Sequence, residues 1–434
     1  MTADERIASV RARSILDSRG RPTVEADVVT TSGILGRASV PSGASTGRHE
    51  AHELRDGIAE EYGGAGVRLA VRNVTEILGP GVEGMDVCDQ RGIDERLIEL
   101  DGTPNKSRLG ANAILAPSLA AARAAAASRR LPLWRHLAGS GRPVLPMPMI
   151  NAISGGAHAS RNLDLQDFLI VPVGARSYRG ALAMSAAVLR TLREVLASRG
   201  LATLRADEGG FGPPLESNRA ALDLVVEAIE RAGYEPGRDI AIAIDVAATQ
   251  FFDAESGLYW LAAEGRAYDA DGMIDMLGDW LAAYPIVSLE DPLAEDEWEP
   301  WREVTRRLGD AAQVVGDDLF TTNPDRLKHG IEIGAANAVL VKMNQIGTLS
   351  ETLDVVRIAR DAGYRCVISA RSGETDDPFM ADLAVATGAG QIKVGSLTQG
   401  ERLAKYNQLS RIEEDLEPEP LFASWKGSPS PRSR

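Results

Sequence analysis

The sequence has little cysteine, no long apolar run and a deficit of positive charge, and each shortage excludes a class of protein. Only two of the 434 residues are cysteines, Cys88 and Cys366, so a disulfide framework is excluded and a reducing compartment is expected. The formal net charge is −15, from 62 acidic and 47 basic residues, which argues against bulk affinity for nucleic acid or an anionic membrane. The first residues do not have the basic and apolar regions of a signal peptide. We therefore expect a cytoplasmic protein that binds neither nucleic acid nor membrane.

The chain is long enough for a large buried core, and its length favours more than one domain. Hydrophobic residues make up 44% of the sequence, with 43 glycines and 22 prolines between them. The longest alanine-rich run, "LAPSLAAARAAAASRRLPL", is interrupted by Pro117, Arg123 and a pair of arginines. This run predicts a helix packed within a folded domain rather than a membrane span.

Turn signals divide residues 7–40 into three short segments that predict an antiparallel meander. The segments are "IASVRARSIL", "TVEADVVT" and "GILGRASV", separated by "DSRGRP" and "TSG". Helical patterns follow, and the segment "GSGRPVLPMP" at 139–148 has the glycine and proline content of a linker. We predict an α+β capping domain over residues 1–140, with a mobile loop at 40–57. A catalytic domain is expected over 141–420, followed by a disordered tail at 421–434.

After residue 145, short apolar runs recur, and each ends in a polar or charged residue before a longer helical stretch. This spacing is typical of parallel strands joined by crossover helices. In a β/α barrel, the carboxyl ends of the strands meet on one face, where the catalytic groups lie. The residues that close the apolar runs are Asp245, Glu290, Asp317, Lys342, Arg371 with Ser372, and Lys393. The pattern predicts an α/β fold with a parallel β/α barrel and a functional site at this rim.

Three of the closing residues, Asp245, Glu290 and Asp317, are carboxylates that would repel one another at a shared rim. One such carboxylate alone is more often a solvated surface charge. Three together favour a divalent cation that neutralises them, and ligation by oxygen alone suits Mg²⁺. Asp318 is an alternative ligand in place of Asp317. The lysines are either bases, with a pKa lowered beside a dication, or salt-bridge partners of the carboxylates.

Three loops carry further candidate residues. The segment "RADEGGFGPP" places Glu208 before a pair of glycines, where a carboxylate can approach a ligand closely. The segment "SGGAHASRNLDLQDF" carries His158, Gln166 and Asp167, although a lone histidine is more often structural. The loop "VPSGASTGRHEAHELRDG" can offer backbone N–H groups to a phosphate and Ser45 to a metal, or it is only a loop.

Several longer segments resemble enolase motifs, and they occur in the order that enolases have. They are "SILDSRGRPTVE", "PSGASTG", "LDGTPNKSRLGANAILAPSLA", "ADEGGF", "SLEDPLAEDEW", "VGDDLFTTN", "VKMNQIGTLSE", "RSGETDDPFMADLAVATGAGQIK" and "ERLAKYNQL". Together they extend over residues 7–415. The chain is identified on these motifs as a member of the enolase family, and the fold implied is an enolase-type β/α barrel with an amino-terminal α+β capping domain.

The resemblance implies a lyase that interconverts 2-phosphoglycerate and phosphoenolpyruvate, with two Mg²⁺ ions per active site, in a homodimer or higher homo-oligomer. The implied metal ligands are Asp245, Glu290 and Asp317 for the first ion and Ser45 for the second. The implied catalytic residues are Lys342, which takes the proton α to the substrate carboxylate, and Glu208 and Asp167, which act near the leaving hydroxyl. The implied substrate-binding residues are His158, Gln166, Arg371, Ser372, Lys393, Gly43 and Ala44.

Four positions depart from the usual enolase pattern. Alanine stands at position 370, where enolases have histidine, and Asp167 is one methylene shorter than the usual glutamate. Gln250 stands where glutamate is usual, and Arg21 where asparagine is usual. The base and the metal ligands are kept, while the opposite side of the pocket is altered.

Three functions are compatible with this pattern. The first is an ordinary glycolytic enolase. The second is a specialised paralogue similar to carboxyphosphonoenolpyruvate synthase of phosphonate antibiotic biosynthesis. It would use a nucleotide-activated phosphonoformate together with a small phosphorylated carboxylic acid. The third is a non-catalytic scaffold with the enolase fold, which the retention of every metal ligand opposes. Ala370 and Asp167 favour the specialised paralogue.

Overall fold

The computed structural model describes residues 5–44, 46–159, 161–418 and 420–425. Its amino-terminal part contains an antiparallel sheet of β1 (Ile7–Leu16), β2 (Pro22–Thr30) and β3 (Leu35–Ser39), in that order. The turn between β1 and β2 is closed by Asp17, whose carboxylate accepts hydrogen bonds from the N–H groups of Arg19 and Arg21. The predicted three-stranded meander is therefore confirmed.

Helices pack against this sheet in two tiers. They are α1 (Arg68–Asn73), α2 (Gly79–Val82), α3 (Gln90–Asp101), α4 (Ala111–Ser128) and α5 (Leu133–Ala138). Helix α4 contacts β2 and β3, α1 and α2 contact β1, and α3 and α5 pack against α4. The alanine-rich α4 is the predicted packed helix, and nearly all of its residues are buried. It lies so close to β3 that a Cβ atom on Gly36 would be 2.1 Å from the carbonyl oxygen of Ala120. Small side chains on the helix and glycine on the strand permit this close approach.

The strands that follow the linker form a barrel and a small separate sheet. In chain order they are β4 (Met147–Ser154), β5 (Asp167–Val171), β6 (Ala241–Asp245), β7 (Phe252–Asp253), β8 (Leu258–Leu261), β9 (Arg266–Tyr268), β10 (Ile286–Glu290), β11 (Gln313–Gly316), β12 (Ala338–Val341), β13 (Arg365–Ser369) and β14 (Gly390–Gly395). Strands β4, β5, β6 and β10 to β14 close into a barrel of eight strands, in which β14 pairs with β4. Strands β7 to β9 form a three-stranded antiparallel sheet beside it.

The predicted barrel is confirmed, but it is not wholly parallel, because β5 runs antiparallel to both of its neighbours. Residues 155–166 connect β4 to β5 through one short 3₁₀ turn, Gly156–Ala159. A parallel connection needs a crossover of a dozen or more residues, usually with an α-helix, and the described residues of this link, 155–159 and 161–166, contain no α-helix. Consequently, the first residue of β5, Asp167, lies opposite Asp245, the last residue of β6.

Helices enclose the barrel from outside. They are α6 (Tyr178–Ser198), α7 (Asn218–Arg231), α8 (Ala270–Ala283), α9 (Trp298–Leu308), α10 (Pro324–Ile333), α11 (Met343–Ile346), α12 (Leu349–Asp361), α13 (Phe379–Thr387) and α14 (Gly400–Asp415). Several begin at a side-chain cap that accepts a backbone N–H, as Ser177, Ser217 and Thr348 do. None of the helices among the described residues combines the length and apolarity that a membrane crossing requires.

The first residues after the predicted catalytic domain pack against the barrel. Leu145 donates its N–H to Leu421 and accepts one from Ala423, which fixes this segment beside the linker. Trp425 is buried with side chains of the barrel interior, including Met147 and Val367. The predicted disordered tail therefore began too early in the chain, because residues 421–425 are folded. Residues 426–434 lie outside the described residues.

Candidate active site

The carboxyl ends of three neighbouring strands bring together the carboxylates that the sequence predicted. Asp245 and Glu290 are the last residues of β6 and β10 and lie directly opposite each other across this parallel pair. Asp317 follows the last residue of β11. All three side chains are buried, because the strands that carry them are enclosed on both faces. The rim is therefore a concentration of negative charge that lies mostly out of solvent.

Two lysines from the next strands lie among these carboxylates. The Lys393 Nζ atom is 2.7 Å from Asp245 Oδ2 and 2.8 Å from both oxygens of Glu290. The Lys342 Nζ atom pairs with Asp317. Burial opposes the charge on Lys342, but the surrounding carboxylates, Asp317 first and then Glu290 and Asp318, together outweigh burial and raise the pKa of this lysine. Both lysines thus form salt bridges with the carboxylates of the chain. The lowering of the Lys342 pKa was predicted beside a dication, and it stays a prediction.

The carboxylates at the rim are not fully balanced by the lysines. Burial, followed by the charge of Asp245, raises the pKa of Glu290 well above its usual value. Burial and the charge of Asp317 raise the pKa of Asp318 to about 8. Ligand atoms of Asp291, Asp317 and Asp318 lie within 4.8 Å of one another, whereas the predicted ligands Asp245, Glu290 and Asp317 do not form such a group in the described part of the chain. Such groups gain stability from an added cation, so the rim can hold a metal.

Asp291 was not predicted as a site residue, because in the sequence it is only the residue that follows Glu290. Its two carboxylate oxygens accept the N–H groups of Asp317 and Asp318, each at 2.8 Å. Both oxygens therefore fix the turn that presents these two aspartates. The backbone of Asp291 has φ +41°, a conformation that costs free energy for a residue other than glycine and marks a constrained turn.

The loop before β5 and the loop between α6 and α7 supply the opposite side of the rim. The His158 Nδ1 atom is 2.9 Å from Asp167, and its Nε2 atom is 3.7 Å from Glu208. Burial opposes protonation of His158, but Glu208 and Asp167 outweigh it and raise its pKa to about 9. Asn151 donates to the other oxygen of Asp167 at 2.6 Å. His158 is therefore an imidazolium between two carboxylates, rather than an isolated structural histidine.

Glu208 reaches the rim because the two glycines after it allow a tight approach. Gly209 has φ +84°, which favours glycine, and a Cβ atom on Gly210 would be 2.5 Å from Ser154 Oγ. The carbonyl of Glu208 accepts the N–H of Ser396, which follows β14. These contacts fix the loop to the barrel, and the Glu208 side chain is 8% exposed.

The end of β13 presents Ala370, Arg371 and Ser372. Arg371 forms a two-pronged ion pair with Glu50, at 3.0 and 3.1 Å, and donates to Asn344 at 2.9 Å. Ala370 is buried, and its N–H donates to the carbonyl of Lys393. Its methyl group leaves this position of the rim without a polar side chain.

The loop at 40–57 lies against the barrel. Ser42 pairs with Gly373 through two backbone hydrogen bonds, and the N–H of Ala44 donates to Ser372 Oγ at 2.7 Å. Farther along, the N–H of Arg48 donates to Glu295 at 2.8 Å. Gly43 lies between Ser42 and Ala44 in this closed segment. Ser45, the expected ligand of a second ion, lies outside the described residues.

Two family models match the chain. The model described as "Enolase, N-terminal domain" matches residues 7–137, and "Enolase, C-terminal TIM barrel domain" matches residues 142–429. A protein of Acidothermus cellulolyticus named "Enolase" is 56% identical over 417 residues, which cover 96% of each chain. The chain belongs to the enolase family. The family predicted from the motifs is confirmed, whereas nothing in these matches supports the specialised phosphonate paralogue.

One of the positions that depart from the enolase pattern, Gln250, lies in a chain of hydrogen bonds at the rim. Gln250 donates from Nε2 to Gln166 Oε1 at 2.5 Å, and Gln166 donates from Nε2 to Asp245 Oδ2 at 3.0 Å. The Gln250 amide therefore fixes which end of the Gln166 amide faces Asp245. Asp167, despite its shorter side chain, keeps two hydrogen-bond donors. In this enolase-family chain, Arg21 lies at an exposed turn instead.

Other residues of the rim were not predicted from the sequence. They are Asn151, which holds Asp167; Glu50 and Asn344, which hold Arg371; and Gln345, which donates to Asp317 at 2.9 Å. Asn344 and Gln345 follow Lys342 within one helical turn, a signal that could have identified them. Asn151 and Glu50 have no comparable signal, because their partners are distant in the sequence.

Proposed function

We propose that this chain catalyses the reversible dehydration of 2-phosphoglycerate to phosphoenolpyruvate, as an ordinary enolase does. The observation that carries the proposal is the rim, where Lys342 and Lys393 face buried carboxylates at the ends of neighbouring strands. The 56% sequence identity to an enolase over almost the whole chain supports the same reaction. Removal of a weakly acidic proton requires a base and, next to it, positive charge that stabilises the resulting anion.

The donor set at the rim fits magnesium. Its members are buried carboxylates, and the Lys393 ammonium already lies between Asp245 and Glu290 as a cation would. We assign the first ion to Asp245, Glu290 and Asp317, and a second ion to Ser45. When bound, magnesium supplies positive charge beside the substrate carboxylate and makes the adjacent proton more acidic.

In the proposed mechanism, Lys342 removes the proton from the carbon next to the substrate carboxylate. Its amine can accept a proton only when Asp317 no longer holds it as an ammonium, which ligation of Asp317 to a cation would achieve. Lys393 pairs with the substrate carboxylate. On the opposite side, burial opposes the charge on Glu208, but His158 and the basic residues around it lower the pKa of this carboxyl group. Glu208 must therefore first take a proton, for which the His158 imidazolium is the neighbouring source, before it can protonate the departing hydroxyl, and Asp167 holds His158 in place.

Substrate binding is proposed for the residues around the end of β13 and the closed loop. Arg371 and Ser372 would hold the phosphate, with backbone N–H groups of Gly43 and Ala44 approaching from the loop. Gln166 and His158 would complete the pocket. This arrangement requires the loop at 40–57 to open for substrate entry, and we propose that it moves as a lid between the amino-terminal domain, residues 1–140, and the barrel domain, residues 141–420.

A second candidate is the specialised paralogue, which only Ala370 and the short Asp167 favour. Compared with the usual enolase pattern, the side of the pocket near the leaving hydroxyl then has one imidazole fewer and a shorter carboxylate. In that reaction a nucleotide-activated phosphonoformate would be a co-substrate. We place this reaction behind the ordinary one because the chain is 56% identical to an enolase over 96% of its length.

One assay separates these candidates. The purified chain is given 2-phosphoglycerate and Mg²⁺, and phosphoenolpyruvate is followed by its ultraviolet absorbance. We expect turnover at a rate of about 1–1,000 per second, the usual range for metabolic enzymes. Weak turnover alone, with a new carbon–phosphorus product in the phosphorus NMR spectrum after the activated phosphonoformate is added, would favour the specialised paralogue. No reaction in either case, with divalent ions still bound, would favour a scaffold.

The assembly is proposed to be a homodimer or higher homo-oligomer, as the family implies. Light scattering coupled to size-exclusion chromatography would give the mass in solution, for comparison with 46.3 kDa for one chain. A mass of one chain at assay concentration would contradict this proposal without affecting the assignment of the reaction.

A further inference from the structure

Arg19 lies in the turn between β1 and β2, yet its guanidinium reaches the barrel. Its Nη1 atom is 3.3 Å from Ser372 Oγ, and its Nη2 atom is 3.1 Å from the carbonyl oxygen of Ser42. Asp17 fixes the turn and pairs with the same guanidinium. Arg19 therefore joins three parts of the molecule: the amino-terminal sheet, the closed loop and the end of β13.

The contacts of Ser372 define what its hydroxyl can still do. A serine hydroxyl can accept two hydrogen bonds and donate one. Ser372 Oγ accepts from Arg19 Nη1 and from the N–H of Ala44, at 2.7 Å, so both of its acceptor positions are used by N–H donors. Neither contact uses the hydroxyl proton. The hydroxyl is therefore held as a donor, the role that binding to an anionic oxygen requires.

Arg19 also carries an unused donor. Its Nε–H is buried and meets no hydrogen-bond acceptor among the residues that the structure describes. The side chain is only 11% exposed, so solvent can satisfy little of it. A buried donor without a partner costs free energy, which a nearby anion or an ordered water would recover. Positive charge and a donor hydroxyl thus lie together, one residue from Arg371.

We propose that Arg19 is a positioning residue for substrate binding: together with the Ala44 N–H, it orients the Ser372 hydroxyl to donate to an anionic phosphate oxygen. This inference rests on the proposed function, in which Ser372 contacts the substrate phosphate. It assigns a role in the pocket to a residue of the amino-terminal domain. It also links the loop at 40–57 to Ser372, because the N–H that approaches this hydroxyl beside Arg19 belongs to Ala44 of that loop.

The test compares Arg19→Met with Arg21→Met. Both remove one arginine from the same turn, but Arg21 is exposed and makes no contact with Ser372 among the described residues. Arg19→Met should raise the KM for 2-phosphoglycerate and the dissociation constant for phosphoenolpyruvate, measured by calorimetry, by roughly tenfold or more. The change in kcat should stay within about threefold, because Lys342 is untouched. Arg19→Lys should recover part of the loss, and Arg21→Met should match the parent.

Double variants decide whether Arg19 acts through Ser372. If it does, Arg19→Met should change KM and the dissociation constant by less than about twofold when it is added to Ser372→Ala. The same factor in both backgrounds, or no effect of Arg19→Met on its own, would overturn the inference. Thermal unfolding of each variant identifies any loss of fold. If Arg19→Met does not fold, KM and the dissociation constant are measured with Arg19→Lys instead. A parent that binds phosphoenolpyruvate but does not turn over 2-phosphoglycerate would refute the proposed reaction, while the binding measurements would still test Arg19.

Discussion

Asp382 is a buried carboxylate at the contact between the amino-terminal domain and the barrel, and its replacement by asparagine should change how stability depends on pH. It lies in α13 and accepts the N–H of Trp134, at the start of α5, at 3.1 Å. Gln408 of α14 donates to both of its oxygens, at 3.3 and 3.2 Å. Asparagine can keep the bond to Trp134, and rotation of the Gln408 amide restores the other contact. The variant therefore removes a charge but few contacts.

The expected magnitude follows from the pKa of Asp382. Burial is the main cause that raises this pKa from 3.8 to about 6. A carboxyl group whose pKa is higher in the folded state stabilises the fold fully below its unfolded pKa and loses that contribution as pH rises through the folded pKa. A shift of about two units corresponds to about 3 kcal/mol. Between pH 4 and pH 7, the parent should lose about four-fifths of these 3 kcal/mol of stability, a loss that Asp382→Asn does not show.

The assay is urea unfolding of the parent and Asp382→Asn at several pH values across this window. The difference in unfolding free energy, variant minus parent, should rise with pH and level off above pH 7. Asp310→Asn, at an exposed position, is the matched control and should leave the difference flat. A flat or falling difference for Asp382→Asn would show that this carboxylate is not held in a costly charged state at neutral pH.

Three further predictions concern the rim. Lys342→Ala should lower kcat by at least about 10²-fold with the fold intact. The surface variant Lys328→Ala is the control and should leave kcat unchanged. A near-parental kcat for Lys342→Ala would show that Lys342 is not the base. Chelation by EDTA should abolish activity and Mg²⁺ restore it, and calorimetry that detects no divalent binding would contradict the metal assignment. Gln250→Glu should raise the KM for 2-phosphoglycerate, because a carboxylate cannot donate a hydrogen bond to Gln166. Gln250→Met removes the same donor without adding a charge. Equal increases in KM for the two variants would show that the added charge has no effect of its own.

Much of the fold could be predicted because most barrel strands are short apolar runs with a polar residue at the end. Runs closing at Asp245 and Glu290 coincide with β6 and β10, and the meander segments coincide with β1 to β3. The direction of β5 could not be predicted. Its five residues are all buried, so the run has no alternation of polar and apolar positions, and an apolar run does not encode which way it points.

The site was predictable where one rule placed its residues. Parallel strands bring their carboxyl ends to one rim, so Lys342 and Lys393 could be placed beside the carboxylates. Arg19 and Glu50 come from the amino-terminal part, and their contacts depend on how it meets the barrel. The sequence also could not say which carboxylate Lys342 pairs with, because the contact with Asp317 depends on how the ends of β11 and β12 meet.

The reversal of β5 changes how often the chain must cross the length of the barrel. In a regular β/α unit, the chain leaves one strand at the rim and enters the next strand at the opposite end of the barrel, so one helix between the two strands is enough. The link from β4 to β5 begins and ends at the rim and needs no helix, whereas the link from β5 to β6 begins and ends at the far end and needs an even number of crossings. Helices α6 and α7 are those two crossings, and the turn between them must reach the rim. That turn carries Glu208, so a single inverted strand creates an additional rim loop, and a shortened relative could not lose one of these helices alone.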